Sequence, residues 1–334
     1  MLQFKNETGL PGAIITAPDP DGIDSVYALI KGTFDLDRGC EPAEEQVPVA
    51  FAPEHYGDPA TSSVRVPGDV SLSKPSTDVL LCGHAYAPGG RATTVMEVSL
   101  TVGPVHRVVR IFGDRRWTAA GGGYALSYPE PFETMPLVWE RAYGGTEVVD
   151  GVPQAEVRNP VGRGFLVPGV SPVDGALAPN LEDPYDPIQS WKQRPAPACF
   201  APIPPHWEPR RSLAGTYDER WQRQRAPYLP EDFDPRFFQV APPGLIAPGY
   251  LQGGEPVEIR GATPSGYLSF QLPRLRVQVT FVLDHAPREQ IANLDTVLIE
   301  PDAARLILVW RAALACDKRT LRVREVRARF LESA

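Results

Sequence analysis

Residues 94–112 read Thr-Val-Met-Glu-Val-Ser-Leu-Thr-Val-Gly-Pro-Val-His-Arg-Val-Val-Arg-Ile-Phe. Met96, Val98, Leu100 and Val102 alternate with Glu97, Ser99 and Thr101. Successive side chains of an extended chain point to opposite faces, so this stretch is apolar on one side and polar on the other. Gly103-Pro104 is a turn signal, and Val105 to Phe112 runs back as a second strand. The stretch therefore predicts a β-hairpin.

The same period recurs on either side. Leu275, Val277, Val279 and Phe281 alternate with Arg274, Arg276, Gln278 and Thr280, predicting another strand. Asp284-His285-Ala286-Pro287 reads as a loop, Gln290 to Leu294 as a helical turn, and Thr296 to Glu300 as a short apolar strand. Pro301-Asp302 turns the chain into Leu306 to Trp310, a continuous apolar run suited to a strand covered on both faces. In the last strand, Leu321 to Phe330, the apolar phase moves from odd positions (Leu321, Val323) to even ones (Val326, Ala328, Phe330). A β-bulge near Arg324 would produce that slip. Tyr27 to Leu36 and Val79 to Tyr86 are further strands, and no long amphipathic helix is visible.

The chain has 38 prolines in 334 residues, roughly twice the usual share. Proline removes a backbone donor and fixes φ, which caps the helix content. Residues 151–250 hold 19 of the 38, together with Trp191, Trp207 and Trp221. A flexible linker would be Gly/Ser-rich and poor in aromatics, so this middle is expected to be ordered coil. The fold class that follows is mainly β, with antiparallel sheets, sandwich- or barrel-like, in two halves joined by a long ordered, Pro-rich, largely irregular segment. The boundaries are drawn at 1–150 for an N-terminal β-rich domain, 151–255 for the connector and 256–334 for a C-terminal sheet packed on the N-terminal half.

Hydrophobic residues at 43% and charged residues at 22% fit a folded globular chain rather than a disordered one. A net charge of −8 argues against a nucleic-acid partner. Lys318, Arg319, Arg322, Arg324, Arg327 and Arg329 form one basic run, read either as a groove or as the solvated face of a terminal strand. Met1 to Glu7 lacks the basic and apolar regions of a signal peptide, and no segment offers the roughly 20 apolar residues of a membrane span. Cys40, Cys82, Cys199 and Cys316 include no Cys-x-x-Cys pair. Reduced thiols in a cytoplasmic protein are expected, with no membrane association.

The search for chemistry yields alternatives rather than a motif. The five histidines (His55, His84, His106, His206, His285) are far apart in sequence, and no zinc spacing occurs, so neither a metal nor a cofactor is expected. Gly162-Arg163-Gly164 and Gly121-Gly122-Gly123 lack a Walker or Rossmann context. The nucleophile elbow is missing, which leaves Asp284-His285 as a weak acid–base pair. Glu182-Asp183 and Glu231-Asp232-Phe233-Asp234 lie among prolines and aromatics. They fit either the two carboxylates of a glycosidase or ordinary Asp-Pro turns.

Several segments carry a resemblance that spans nearly the whole chain in order. They are Lys31-Gly32-Thr33-Phe34, Lys74-Pro75 with Thr77-Asp78-Val79, Gly113-Asp114-Arg115-Arg116-Trp117, Pro136 to Gly145, Arg158-Asn159-Pro160-Val161-Gly162-Arg163-Gly164 and Pro179 to Pro184. Gly215-Thr216-Tyr217-Asp218 with Trp221, Asp232 to Pro242, and Gly253-Gly254-Glu255 follow. The chain resembles a bacterial family catalogued as a domain of unknown function, whose genes lie beside type VI secretion genes for VgrG spikes, PAAR-repeat proteins and Rhs-type toxins. The resemblance implies a chaperone or adaptor, not an enzyme. Its implied partner is an effector with a PAAR-type or Rhs-type region, to be loaded on the VgrG spike.

Trp, Tyr and Arg are the types enriched at interface hot spots. Arg116, Trp117, Trp139, Arg141, Tyr143 and Arg158 are therefore the candidate protein-binding residues. Internal bracing of loops by bidentate arginines is the competing reading. The function expected is effector binding. The alternative is a carbohydrate-active or other hydrolytic enzyme using Asp or Glu of the Pro-rich middle.

Overall fold

The computed structural model describes residues 2–284, 286–317 and 319–331. The hairpin of residues 94–112 forms, with Val102 opposite Val105 across the turn. Gly103 adopts φ +52 there, and a Cβ on it would lie 3.0 Å from Glu255 Cγ. The turn thus needs glycine both for backbone conformation and for space.

The strands of the three large sheets, in chain order, are β1 (Gln3–Asn6), β2 (Gly12–Pro18), β3 (Asp24–Asp35), β4 (Asp78–Leu81), β5 (Val95–Val102), β6 (Val105–Phe112), β7 (Leu181–Glu182), β8 (Pro256–Arg260), β9 (Tyr267–Gln271), β10 (Val277–Leu283), β11 (Ala286–Ile291), β12 (Asn293–Glu300), β13 (Arg305–Ala315) and β14 (Val323–Phe330). The sheet orders are β2-β3-β13-β12-β4, β7-β6-β5-β8-β9 and β1-β14-β10-β11. The two-residue strand Glu41–Pro42 also pairs with β3. The protein is mainly β, and its three large sheets are antiparallel except where β4 meets β12 and β1 meets β14. Among the described residues no sheet closes into a barrel.

β3 and β13 pair from Ser25 opposite Ala315 to Asp35 opposite Arg305, so segments from the two ends of the chain share one sheet. Leu306 to Ala312 are all buried, as a doubly covered strand requires. Phe34 and Trp310 pack edge to face in that core, with ring centroids 6.4 Å apart. Three buried cations inside it are paired. Lys31 meets Asp69 at 2.8 Å, Lys74 meets Asp78 at 2.8 Å and Arg311 meets Asp295 at 2.6 Å.

Residues 151–255 contain short elements, among them β7 and the one-and-a-half-turn helix α1 (Glu219–Gln224). Part of this stretch covers an edge of the six-stranded sheet. Val79 N donates to Leu245 O (2.9 Å), Ala247 N to Thr77 O (2.9 Å) and Leu81 N to Phe200 O (3.3 Å). Backbone groups of β4 that would otherwise be orphaned are satisfied by coil.

Three details differ from or refine the sequence reading. Gln290 to Leu294 is extended rather than helical, because Gln290 pairs with Val279 and Leu294 with Trp310. Cross-strand pairing overrides local preference here. The strand expected over Val79 to Tyr86 is interrupted at Cys82-Gly83 and resumes at His84–Tyr86. The bulge lies where the phase change predicts: Val282 is opposite Glu325 and Leu283 opposite Val323, which leaves Arg324 unpaired. His285 and Lys318 fall outside the described residues, and with them the Asp284-His285 pair and the start of the basic run.

Candidate interaction surface

Three of the six candidate residues, Trp139, Arg141 and Tyr143, meet in one polar knot built from distant segments. Asp114 Oδ1 accepts from Asn180 Nδ2 (2.9 Å), Arg141 (3.3 Å) and Arg163 (3.4 Å). Asn159 Nδ2 donates to Trp139 O (2.8 Å) and Tyr143 O (2.9 Å). Gly144 belongs to this knot: it has φ +152 and its missing Cβ would sit 2.1 Å from Asn159 O. Burial pushes the Arg163 guanidinium below its ordinary value, Arg141 adds to that, and Asp114 opposes it.

The aromatic candidates are inside. Trp139 is 2% exposed, donates its indole N–H to Ala201 O and Pro202 O (3.2 and 3.0 Å) and stacks edge to face on Trp207. Trp117 and Tyr143, each 1% exposed, share a small apolar cluster with Leu166, Val173 and Ile188. Arg158 grips Glu156 with two 2.7 Å bonds and reaches Pro195 O at 3.1 Å. Arg116 is exposed, with one guanidinium nitrogen on Gly175 O at 2.9 Å. These residues brace loops, and only Arg116 and parts of Arg141 and Arg158 reach the surface.

The carboxylates of the two motifs take separate partners. Glu182 is buried against Arg115 and accepts from Ile188 N. Burial raises its carboxyl above the ordinary value against the lowering effect of Arg115. Asp232 accepts from Thr216 N (2.9 Å) and Oγ1 (2.7 Å), and Asp234 caps a short 3-10 turn and pairs with Arg236. A cleft of about 500 Å³ brings together residues that no motif announced. In it, His84 Nδ1 lies 2.7 Å from Asp302, whose other oxygen accepts from Tyr86 at 2.8 Å. Among the described residues, no group of three or more His, Cys, Asp or Glu side chains is placed to hold a metal.

The open sheet edges remain. The bonds Leu272 N to Glu255 O and Gly261 N to Gly266 O fix the parity of the β8–β9 ladder. By antiparallel alternation, Leu268 and Phe270 bond to β8, while Tyr267, Ser269 and Gln271 turn their backbone groups outward. β9 has no charged residue and no proline. Leu268 and Phe270 pack against the core beneath it, and Tyr267, 43% exposed, carries the Arg260 guanidinium 4.8 Å from its ring. Other edges are guarded. β11 carries Pro287, Arg288 and Glu289, and β1 carries Lys5. β2 is uncharged but fenced, with Asn6 bonded to Leu10 O (2.6 Å) against Gly12, and Arg225 holding Pro20 O (2.8 Å). Natural proteins guard exposed edges with charge, proline or cover. Among the described edge strands of the three large sheets, β9 has neither charge nor proline.

This edge went unread in the sequence, although Tyr267 to Gln271 alternates between Pro264-Ser265-Gly266 and Pro273. The period-two signal was present but short.

A family described as "Uncharacterized protein conserved in bacteria (DUF2169)" matches residues 21–311. No curated protein and no solved structure matches the chain. Among the described residues, no helix is long and apolar enough to cross a membrane.

Proposed function

The chain belongs to this uncharacterized family conserved in bacteria, and we propose that it is a cytoplasmic adaptor that binds a type VI secretion effector, by its PAAR-type tip, and promotes loading on the VgrG spike. The observation that carries a binding role is the uncharged, unguarded edge of β9, with the backbone of Ser269 and Gln271 facing outward. Strand addition to such an edge gives affinity through main-chain bonds and specificity through alternate side chains. The sequence resemblance supplies the identity of the partner, and a sheet-based spike tip has strands to offer. Glu182, Asp232 and Asp234 are each engaged in internal bonds, which favours binding over hydrolysis.

The test is co-purification from the bacterium that encodes the chain. The native protein is expected to retain a PAAR-containing effector. Ser269→Pro removes one outward N–H and leaves the β8 ladder intact, since proline is tolerated where the N–H faces solvent. It is expected to lose that effector while remaining folded. Equal retention by both proteins would remove strand addition at β9 from the account.

A further inference from the structure

Away from β9, a groove of about 310 Å³ is lined by Phe51, Val70, Pro205, Phe237, Phe238 and Arg210. Phe51 and Val70 are 69% and 38% exposed. Exposed apolar side chains gathered in one groove offer surface that a partner can cover.

Arg210 is the unusual member. It is 9% exposed, yet no carboxylate lies within ion-pairing distance among the described residues. Its Nε donates to Phe237 O (2.9 Å) and one terminal nitrogen to Ile203 O (2.5 Å). The other terminal nitrogen has no partner among the described residues. Burial pushes the guanidinium down to about 10, and the charge of Asp78 only partly offsets this. Asp78 gives its Oδ2 to Lys74 (2.8 Å) and Val240 N (2.8 Å), and no hydrogen bond joins its buried Oδ1 to Arg210, so it offsets the guanidinium by charge at a distance and not by contact. Buried charges are ordinarily paired, because an unpaired one forfeits hydration without compensation. The groove therefore holds a positive charge without its counterion, walled by aromatic and proline surface.

We infer that this groove docks an extended segment of a partner protein in which one Asp or Glu side chain sits between apolar residues. The carboxylate takes the free nitrogen of Arg210 in a charge-assisted bond, and the flanking side chains cover Phe51, Val70 and Phe238. The inference does not depend on β9, and its test involves neither that edge nor an effector.

The probes are three peptides titrated into the full-length protein by calorimetry: acetyl-Ala-Pro-Leu-Glu-Phe-Pro-Ala-amide, its Gln counterpart capped in the same way, and the Gln peptide uncapped. The Glu peptide is expected to bind roughly tenfold tighter or more, the range of a hydrogen bond to a charged group. Phe51→Ser and Val70→Ser, both at exposed positions, are expected to weaken both capped peptides without changing the thermal midpoint. Equal affinity of the two capped peptides overturns the inference, as does the absence of binding at millimolar concentration. Tighter binding of an uncapped Gln peptide than of the capped Glu peptide also overturns it, since the carboxylate recognised would then be a chain terminus.

Discussion

Lys31 Nζ lies 2.8 Å from Asp69 Oδ2, with the two side chains 1% and 6% exposed. Lys31 belongs to the interior strand β3, and Asp69 also accepts from Ala50 N at 2.6 Å, so the pair ties a long loop to the largest sheet. Removing one partner of such a pair leaves a buried, uncompensated charge. Lys31→Met is expected to destabilise the fold by about 3–5 kcal/mol, measured by urea unfolding. Lys31→Met combined with Asp69→Asn is expected to cost less than the two single changes summed, because neither charge is then stranded.

Trp139→Phe is expected to lower stability by about 2–3 kcal/mol, because the smaller ring leaves a cavity and the donor to Ala201 O and Pro202 O is lost. The same variant is expected to retain partner binding, because the indole is inside the molecule. Loss of binding without loss of stability would return Trp139 to the interaction surface.

Glu156 gives a pH signature. Burial works against its carboxylate, but the bonds and charge of Arg158 win, and the carboxyl is held below its ordinary value of 4.5. A depressed carboxyl stabilises the fold above its unfolded value and loses that contribution as pH falls through the folded one. Between about pH 6 and pH 3 the native protein is therefore expected to lose more stability than Glu156→Gln, the gap opening below 4.5. Parallel stability curves for the two proteins would contradict this.

Thiol reactivity follows burial. Burial pushes the Cys199 thiol up to about 12 and raises that of Cys82, while Cys40, with Asp35 adding to burial, reaches about 11. A thiol held in its protonated form is a poor nucleophile. Little labelling by a disulfide reagent is expected for the native protein at about pH 8, with all four cysteines reacting once it is denatured. Fast stoichiometric labelling of the native chain would contradict it.

Much of the sheet was legible because period-two patterns report burial directly. Residues 94–112, the buried run 306–310 and the bulge at Arg324 all follow from which face each side chain needs. The helical turn over Gln290 to Leu294 failed because a five-residue window carries no information about strands Val277–Leu283 and Arg305–Ala315, which hold it extended. Residue type makes Trp117, Trp139 and Tyr143 candidates for protein binding and for internal bracing alike. Their burial depends on Leu166, Val173, Ala201 and Trp207, contacts that span up to dozens of residues. The pair His84–Asp302, 218 residues apart, and the isolated charge of Arg210 have no sequence signal, since proximity and absence of a partner are properties of the folded chain.

Backbone hydrogen exchange across Tyr267–Gln271 tests the central claim most directly. In the free protein the outward amides of Tyr267, Ser269 and Gln271 are expected to exchange fast, and those of Leu268 and Phe270, bonded to Pro256–Arg260, slowly. On addition of a saturating PAAR-type effector, the outward amides alone are expected to gain protection, by a factor of about ten or more. A complex that forms while these three amides keep exchanging at their free rates would contradict strand addition at this edge.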